Sequence, residues 1–386
     1  MQSSQLKYDV VIIGGGLAGL ALSIQLARKN FNVVLFEKEK YPFHKVCGEY
    51  ISMESWNFLE DLGLPLSELN LPKINTLNLT SPNGKSFTTK LPLGGFGFSR
   101  YRLDHSLSII ATKSGVHVME ETKVEDVRFA NDNFFIQYFA KKENAVREVK
   151  ATICCGAYGK RNNLDVKWKR DFLTKTDPRI NNYIAVKYHV NTNLPGGIIG
   201  LHNFKNGYCG ISEIEEKKYC LCYLTTAANL KRSNNSIPQM EKNILFQNPV
   251  LKNIFLQSDF IYSSPVTISQ ISFSKKSLVE NNVLMLGDAA GMITPLCGNG
   301  MSMALHSSKI VATSITGFLN RHNNRTEMER SYRQQWEKEF SRRLIAGRAL
   351  QSFFGSVVLS NVLVAVVNLF PFLAKSIIRK THGKTF

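Results

Sequence analysis

Three reactive side-chain types crowd one short stretch, YPFHKVCGEYIS from Tyr41 to Ser52: an imidazole at His44, an ammonium at Lys45 and a thiol at Cys47. A thiol does covalent chemistry as a thiolate, so a nucleophilic or redox Cys47 needs a lowered pKa and a base, which His44, Lys45 or Glu49 could supply. Two other readings stand beside it: a small polarizable neighbour of a larger bound group, or a structural thiol with no ligand contact. A metal centre is weaker, because His44 and Cys47 at that spacing have no second ligand pair nearby, and no metal is expected. Lys45 has the charge to pair with a phosphate or with an anionic cofactor.

The elements that must position this loop begin just upstream, in YDVVIIGGGLAGLALSIQLARKNFNVVLFEK from Tyr8 to Lys38. The apolar run Val10 to Ile13 predicts a buried parallel strand, Leu20 to Lys29 has helical periodicity, and Val33 to Phe36 predicts a second strand. Between the first strand and the helix lies Gly14-x-Gly16-x-x-Gly19. In that βαβ setting Gly14 permits a tight turn, Gly16 lets backbone approach a pyrophosphate, and Gly19 lets helix and strand pack closely. The helix N-terminus then offers free N–H groups and a positive dipole end to the phosphates. Glu37, about twenty residues beyond the glycines, is placed for the ribose hydroxyls of an adenosine, and Lys38 follows it as a further cofactor-binding candidate. The unit by itself does not decide between NAD and FAD.

The far end of the chain narrows that choice. In VLMLGDAAGMITPLCGNGMSMAL, an apolar strand from Val283 runs into Gly287-Asp288, then Pro295, then Gly298-Asn299-Gly300 opening a helix. This arrangement resembles the second FAD fingerprint of the aromatic-hydroxylase (p-hydroxybenzoate hydroxylase-type) FAD-dependent oxidoreductases, a superfamily that includes the geranylgeranyl reductases. The resemblance implies that Asp288 bonds the ribityl chain of FAD and that the helix near Gly300 points its N-terminus at the flavin, where it would stabilise negative charge. Without a cofactor, Asp288 would merely cap the following turn. Two looser features agree. Arg100-x-x-x-Asp104, in GFSRYRLDHSL, is similar to the family's Arg-x-x-x-Asp helix start, which implies an arginine near the FAD pyrophosphate or flavin edge; an exposed local ion pair is the alternative. ATICCGAYGKRNNLD is similar to the third motif, except that Tyr158 stands where the family has aspartate. That departure leaves NAD(P)H, the reductant the resemblance implies, less secure than FAD.

Lys45-x-Cys47-Gly48 in turn resembles the geranylgeranyl-reductase branch most closely. The chain carries none of the tryptophan-rich motif that flavin-dependent halogenases have between their domains. From Leu71 to Lys90 and from Ile180 to Ser272, alternating stretches such as YIAVKYHV and KKYCLCYL predict antiparallel strands, with a hairpin turn near Glu215 to Lys218. The expected fold is α/β: a discontinuous, glutathione-reductase-like FAD-binding domain over 1–70, 98–165 and 273–345. An antiparallel β-sheet substrate domain over 71–97 and 166–272 would roof the flavin, and C-terminal helices would follow over 346–386.

Composition bounds the rest. The 386 residues, 44% hydrophobic and 20% charged, suit an enzyme-sized globular chain. The formal charge of +18 is spread along the sequence without a nucleic-acid module, so a cofactor phosphate or an anionic membrane is expected and nucleic acid is not. Seven cysteines, odd in number and lacking paired CxxC spacing, read as reduced thiols of a cytoplasmic protein. Near the C-terminus FFGSVVLSNVLVAVVNLFPFLA runs twenty-two residues without a charge, then meets Lys375, Arg379 and Lys380. Three readings stay open for it: a helix closing the substrate cavity, a segment associating peripherally with the inner face of the membrane, and a span. The expected activity is two-electron transfer through FAD to a hydrophobic, unsaturated lipid-like or polyketide-like molecule, by hydride delivery to a C=C bond. Hydroxylation with NAD(P)H and oxygen is the alternative, and a non-catalytic flavin-binding protein is a third reading. The oligomeric state is left open.

Overall fold

The computed structural model describes residues 6–174, 181–354 and 356–386. Ile180, where the second run of strands is expected to begin, and Gly355, in the uncharged C-terminal run, lie outside the described residues. Five strands form a parallel core in the order Val283–Met285, Ala145–Gly156, Lys7–Ile13, Val33–Phe36 and His117–Met119. Val10 to Ile12 and Val33 to Leu35 are fully buried, because the helix Leu17–Ala27 packs on the sheet and side chains of Thr122–Ala130 and Asn133–Ala140, such as Tyr138 against Phe36, share the same core. The helix Leu17–Ala27 packs on the sheet beside the helix Gly300–Leu319. The hairpin Thr122–Ala130 and Asn133–Ala140 joins this sheet through Ala145–Gly156, and Val279–Glu280 closes its edge.

Among the described residues the second sheet has nine strands. Its main path runs Asp259–Phe260, Asn181–Asn191, Tyr219–Thr226, Gly207–Glu213, Ile198–Phe204, Lys73–Thr80, Ser86–Gly97 and Tyr50–Ser52, and Val266–Ser272 pairs alongside Asn181–Asn191. All its pairings are antiparallel except Ile198–Phe204 with Lys73–Thr80. The hairpin expected at Glu215 to Lys218 joins Gly207–Glu213 to Tyr219–Thr226. The α/β fold class is therefore borne out.

The uncharged C-terminal run does not form one helix. Ser356 caps Val357–Leu369 by accepting from the Leu359 N–H at 3.3 Å, and Pro371 opens a new helix, Pro371–Thr381. No single described helix is long and apolar enough to cross a membrane; these two pass that test only together, and they are bent by 113° at the break. All seven cysteines are free thiols.

Candidate functional site

The glycine turn between Lys7–Ile13 and Leu17–Ala27 is shaped as its spacing predicts. Gly14 takes φ +106°, which favours glycine, and a Cβ at Gly19 would stand 2.1 Å from the Gly14 carbonyl oxygen, so only glycine lets the helix lie this close. Gly16 differs from both. A Cβ there would meet nothing nearer than Arg100 Nη2 at 3.7 Å and Lys45 Nζ at 3.8 Å. A Cβ-sized space bordered by two cations beside the first-turn N–H groups of the helix suits a pyrophosphate. The same two cations also engage carboxylates: Arg100 grips Asp104 through Nε and Nη2 at 2.7 Å each, and Lys45 reaches Asp104 at 3.0 Å and Glu37 at 4.0 Å. Burial alone would lift the Asp104 carboxyl; Arg100 and Lys45 bring it below its ordinary value. Arg100 thus makes the local ion pair, but from a largely buried position whose Nη2 borders the space at Gly16.

Glu37 is buried, accepting the Gly15 N–H at 2.9 Å on one oxygen and the Glu39 N–H at 3.1 Å on the other. A carboxylate has about four acceptor sites, so each oxygen keeps capacity for a ribose hydroxyl. Lys38 is not brought to the turn: it is exposed and pairs with Glu39 at 3.7 Å.

At the second fingerprint Gly287 takes φ +59° and Gly298 φ +62°. Pro295 begins a short turn ending at Gly298, Asn299 occupies the N-cap position, and Gly300 is the first residue of the helix Gly300–Leu319. Asn299 is fully buried, donating from Nδ2 to the Thr381 carbonyl at 3.0 Å while its Oδ1 has no partner among the described residues. The Asp288 carboxylate makes no hydrogen bond with any described residue, and burial holds it above the usual carboxylate value despite Lys276, Arg100 and Lys160. A small cleft opens beside Asp288, Gly300 and Ser307. An unpartnered acceptor facing such a space suits the hydroxyls of a ribityl chain. The residues present therefore fit FAD: Gly16, Lys45 and Arg100 at the phosphates, Glu37 at the adenosine ribose, Asp288 and the Gly300 helix at the flavin side.

Sequence reasoning missed the charges that brace this site. Lys276 is buried, donates to the carbonyls of Asp288 and Lys160 at 2.7 Å each, and is pushed down to about 8, chiefly by burial. Tyr158, the departure from the third motif, donates to Asp165 at 2.7 Å, and buried Arg170 binds Asp165 at 2.8 Å and the Ala289 carbonyl at 3.1 Å. Single charges on loops have no spacing that would single them out.

The loop that carries Cys47 is fastened from two sides. Glu49 is fully buried at φ +56°, an uncommon conformation for a side chain of its size. Its carboxylate accepts from Lys187 Nζ, from His189 Nε2 at 2.6 Å and from the Arg100 N–H at 2.8 Å. Lys187 also donates to the Lys45 carbonyl at 3.1 Å. Lys187 and His189 belong to the strand Asn181–Asn191, so this one carboxylate joins the second sheet to the loop and to the helix Arg100–Lys113. Burial works against the charged form of Glu49, yet Lys187 and His189 hold its pKa below the ordinary value. Cys47 is half-buried, and burial, more than any neighbour, pushes its thiol up. His44 is pushed down to about 4, first by burial and then by Lys187.

Above the Pro295 turn lies the larger cavity, about 100 Å³. The second sheet lines it with Leu77, Leu79, Phe87 and Leu201, the turn with Leu296 and Gly298, and the C-terminal helices with Phe354, Val367 and Ile378. The C-terminal segment thus closes an apolar chamber.

Residues 7–335 match the FAD binding domain family. The chain is 24% identical over 356 residues to a digeranylgeranylglycerophospholipid reductase of Methanococcus vannielii, covering 88% of this chain and 84% of that one. It is 24% identical over 353 residues to conditioned medium factor receptor 1 of Dictyostelium discoideum, covering 86% and 68%. Among solved structures it is similar to a geranylgeranyl bacteriochlorophyll reductase-like protein from Thermoplasma acidophilum, with a TM-score of 0.78 at 17% identity, covering 99% of this chain and 97% of that one. It is also similar to a flavin-dependent brominase, with a TM-score of 0.78 at 20% identity, covering 97% and 93%. With the two fingerprints in place and the match spanning most of the chain, this protein belongs to the FAD binding domain family and is an FAD-dependent oxidoreductase.

Proposed function

We propose that the chain reduces a carbon–carbon double bond of a hydrophobic, unsaturated lipid-like substrate. The observation that carries this reading is the apolar chamber between the second sheet, the Pro295 turn and the C-terminal helices. FAD, bound and reduced by NAD(P)H, would supply the hydride, a solvent proton would complete the saturated bond, and the residues bind and orient the reactants. Gly16, Lys45 and Arg100 hold the phosphates, Asp288 fixes the ribityl chain, and the N-terminus of Gly300–Leu319 favours negative charge on the reduced cofactor. Leu79, Phe87 and Phe354 keep the chamber dry. NAD(P)H as the reductant belongs to the same proposal, as does the division into an FAD-binding part over 1–70, 98–165 and 273–345 and a substrate part over 71–97 and 166–272.

The chamber's outer wall supports work at a membrane surface. Val358 (69% exposed), Leu369 (73%) and Phe372 (64%) face outward on the helices whose other sides line the cavity, and Lys375, Arg379 and Lys380 follow in Pro371–Thr381. Apolar side chains beside cations match the interface of an anionic bilayer.

The test is anaerobic. Reduced holoprotein mixed with a polyprenyl lipid should recover oxidised-flavin absorbance without oxygen and yield a saturated bond. Reoxidation only when oxygen is admitted, with an oxygen atom in the product, would replace this reading with hydroxylation. Within the proposal Cys47 is a packing neighbour, since burial opposes its thiolate. Cys47→Ala is expected to keep FAD bound and turnover of the same order; single-turnover flavin reoxidation measures both.

A further inference from the structure

The chamber holds one polar side chain that is not engaged by the described residues. Tyr50 is 6% exposed and lines the chamber beside Cys297 and Gly298, and its buried hydroxyl has no hydrogen-bond partner among them. Buried phenols ordinarily find a partner, because an unmatched polar group in an apolar setting is unfavourable. The ring is not free to turn away. A Cβ at Gly298 would stand 3.1 Å from its Cδ1, and one at Gly95 would stand 2.4 Å from its Cε2, so two glycines clasp its opposite edges.

Polar atoms elsewhere in the lining have partners. Thr381 Oγ1 donates to the Ile378 carbonyl at 2.9 Å, His382 Nδ1 meets the same carbonyl at 3.0 Å, and Cys297 Sγ pairs with Thr294 Oγ1 at 3.5 Å. Burial, and after it the Glu54 charge, push the Tyr50 phenol above its ordinary value. It stays protonated and can donate. Its ring lies against Gly298, two residues before the helix of the second fingerprint begins.

We propose that the Tyr50 hydroxyl is the specificity-determining donor of this chamber, giving its hydrogen bond to a single oxygen atom of the substrate, an alcohol, ether or carbonyl oxygen on an otherwise apolar unsaturated chain. The inference rests on the lipid-substrate reading and sharpens it: a pure hydrocarbon fits the walls but leaves the phenol unmatched. A site built around one buried hydrogen bond discriminates against the analogue lacking it.

Equilibrium dialysis of oxidised holoprotein with labelled geranylgeraniol, and with the same chain bearing hydrogen in place of the hydroxyl, tests this without turnover. Wild type is expected to prefer the alcohol by about tenfold or more, and Tyr50→Phe to bind both alike with hydrocarbon affinity unchanged. Equal affinities in wild type, or a preference that survives in Tyr50→Phe, overturn the assignment. So does a Tyr50→Phe holoprotein whose flavin spectrum or FAD content changes before lipid is added, since the hydroxyl then serves the cofactor. Failure of wild type to bind either chain removes the lipid reading itself and the assignment with it.

Discussion

Gly16→Val is expected to fold normally and purify without yellow colour. The substituted residue sits at φ −83° and ψ −177°, ordinary extended backbone, and its Cβ meets only the Arg100 and Lys45 side-chain tips at van der Waals distance. The apo fold therefore has room for a branched side chain, but the pyrophosphate does not keep its approach to the helix N-terminus. Loss of one charge-assisted hydrogen bond, about 1.5–3 kcal/mol, lowers affinity about ten- to hundredfold. Flavin-to-protein absorbance ratio and thermal melting measured together decide the matter. Full FAD occupancy would overturn the placement of the phosphates, and a large drop in apo melting temperature would mean the site is packed rather than open. Gly19→Val is the contrasting arm: its Cβ would strike the Gly14 carbonyl oxygen, so there the fold itself fails.

Glu49→Ala is expected to destabilise the protein by about 3–5 kcal/mol, because it leaves Lys187 charged and buried without its counter-charge. Lys187 is 1% exposed and Glu49 0%. Adding Lys187→Met to Glu49→Ala should restore much of the loss, and denaturant melts of both variants read it out. If Glu49→Ala alone melts like the parent, the carboxylate does not hold the loop. The same pair sets a pH dependence. Glu49 is depressed in the folded state, so its contribution is present above its ordinary pKa of 4.5 and is lost as pH falls through the lower folded value. Lys187 is raised above 10.5, the pull of Glu49 outweighing burial, so its contribution is present below that value and lost as pH rises past the folded one.

The two cofactor fingerprints were legible because glycine constraints are local: a turn that needs φ above zero and a helix that must touch a strand show in adjacent residues. The strand Val33–Phe36 and the helix start at Arg100 fall where the pattern puts them. The strand Asn181–Asn191 falls in the expected run of strands, but the role of its polar residues does not show in the sequence: in YIAVKYHV, Lys187 and His189 alternate and both are buried, since the loop from Lys45 to Glu49 covers that face. Glu49 and its partners on that strand lie far apart in sequence, and no spacing rule joins them. The uncharged C-terminal run read as one continuous element; Ser356 as a cap and Pro371 as a helix opener divide it, and both residues were visible as interruptions.

The parallel core takes its edge strand, Val283–Met285, from far along the chain and seats it against Ala145–Gly156. Synthesis runs from the N-terminus, so the glycine turn at Gly14 to Gly19 leaves the ribosome while Asp288 and the Gly300 helix do not yet exist. The two halves of the proposed cofactor site therefore coexist only once about three-quarters of the chain has been made.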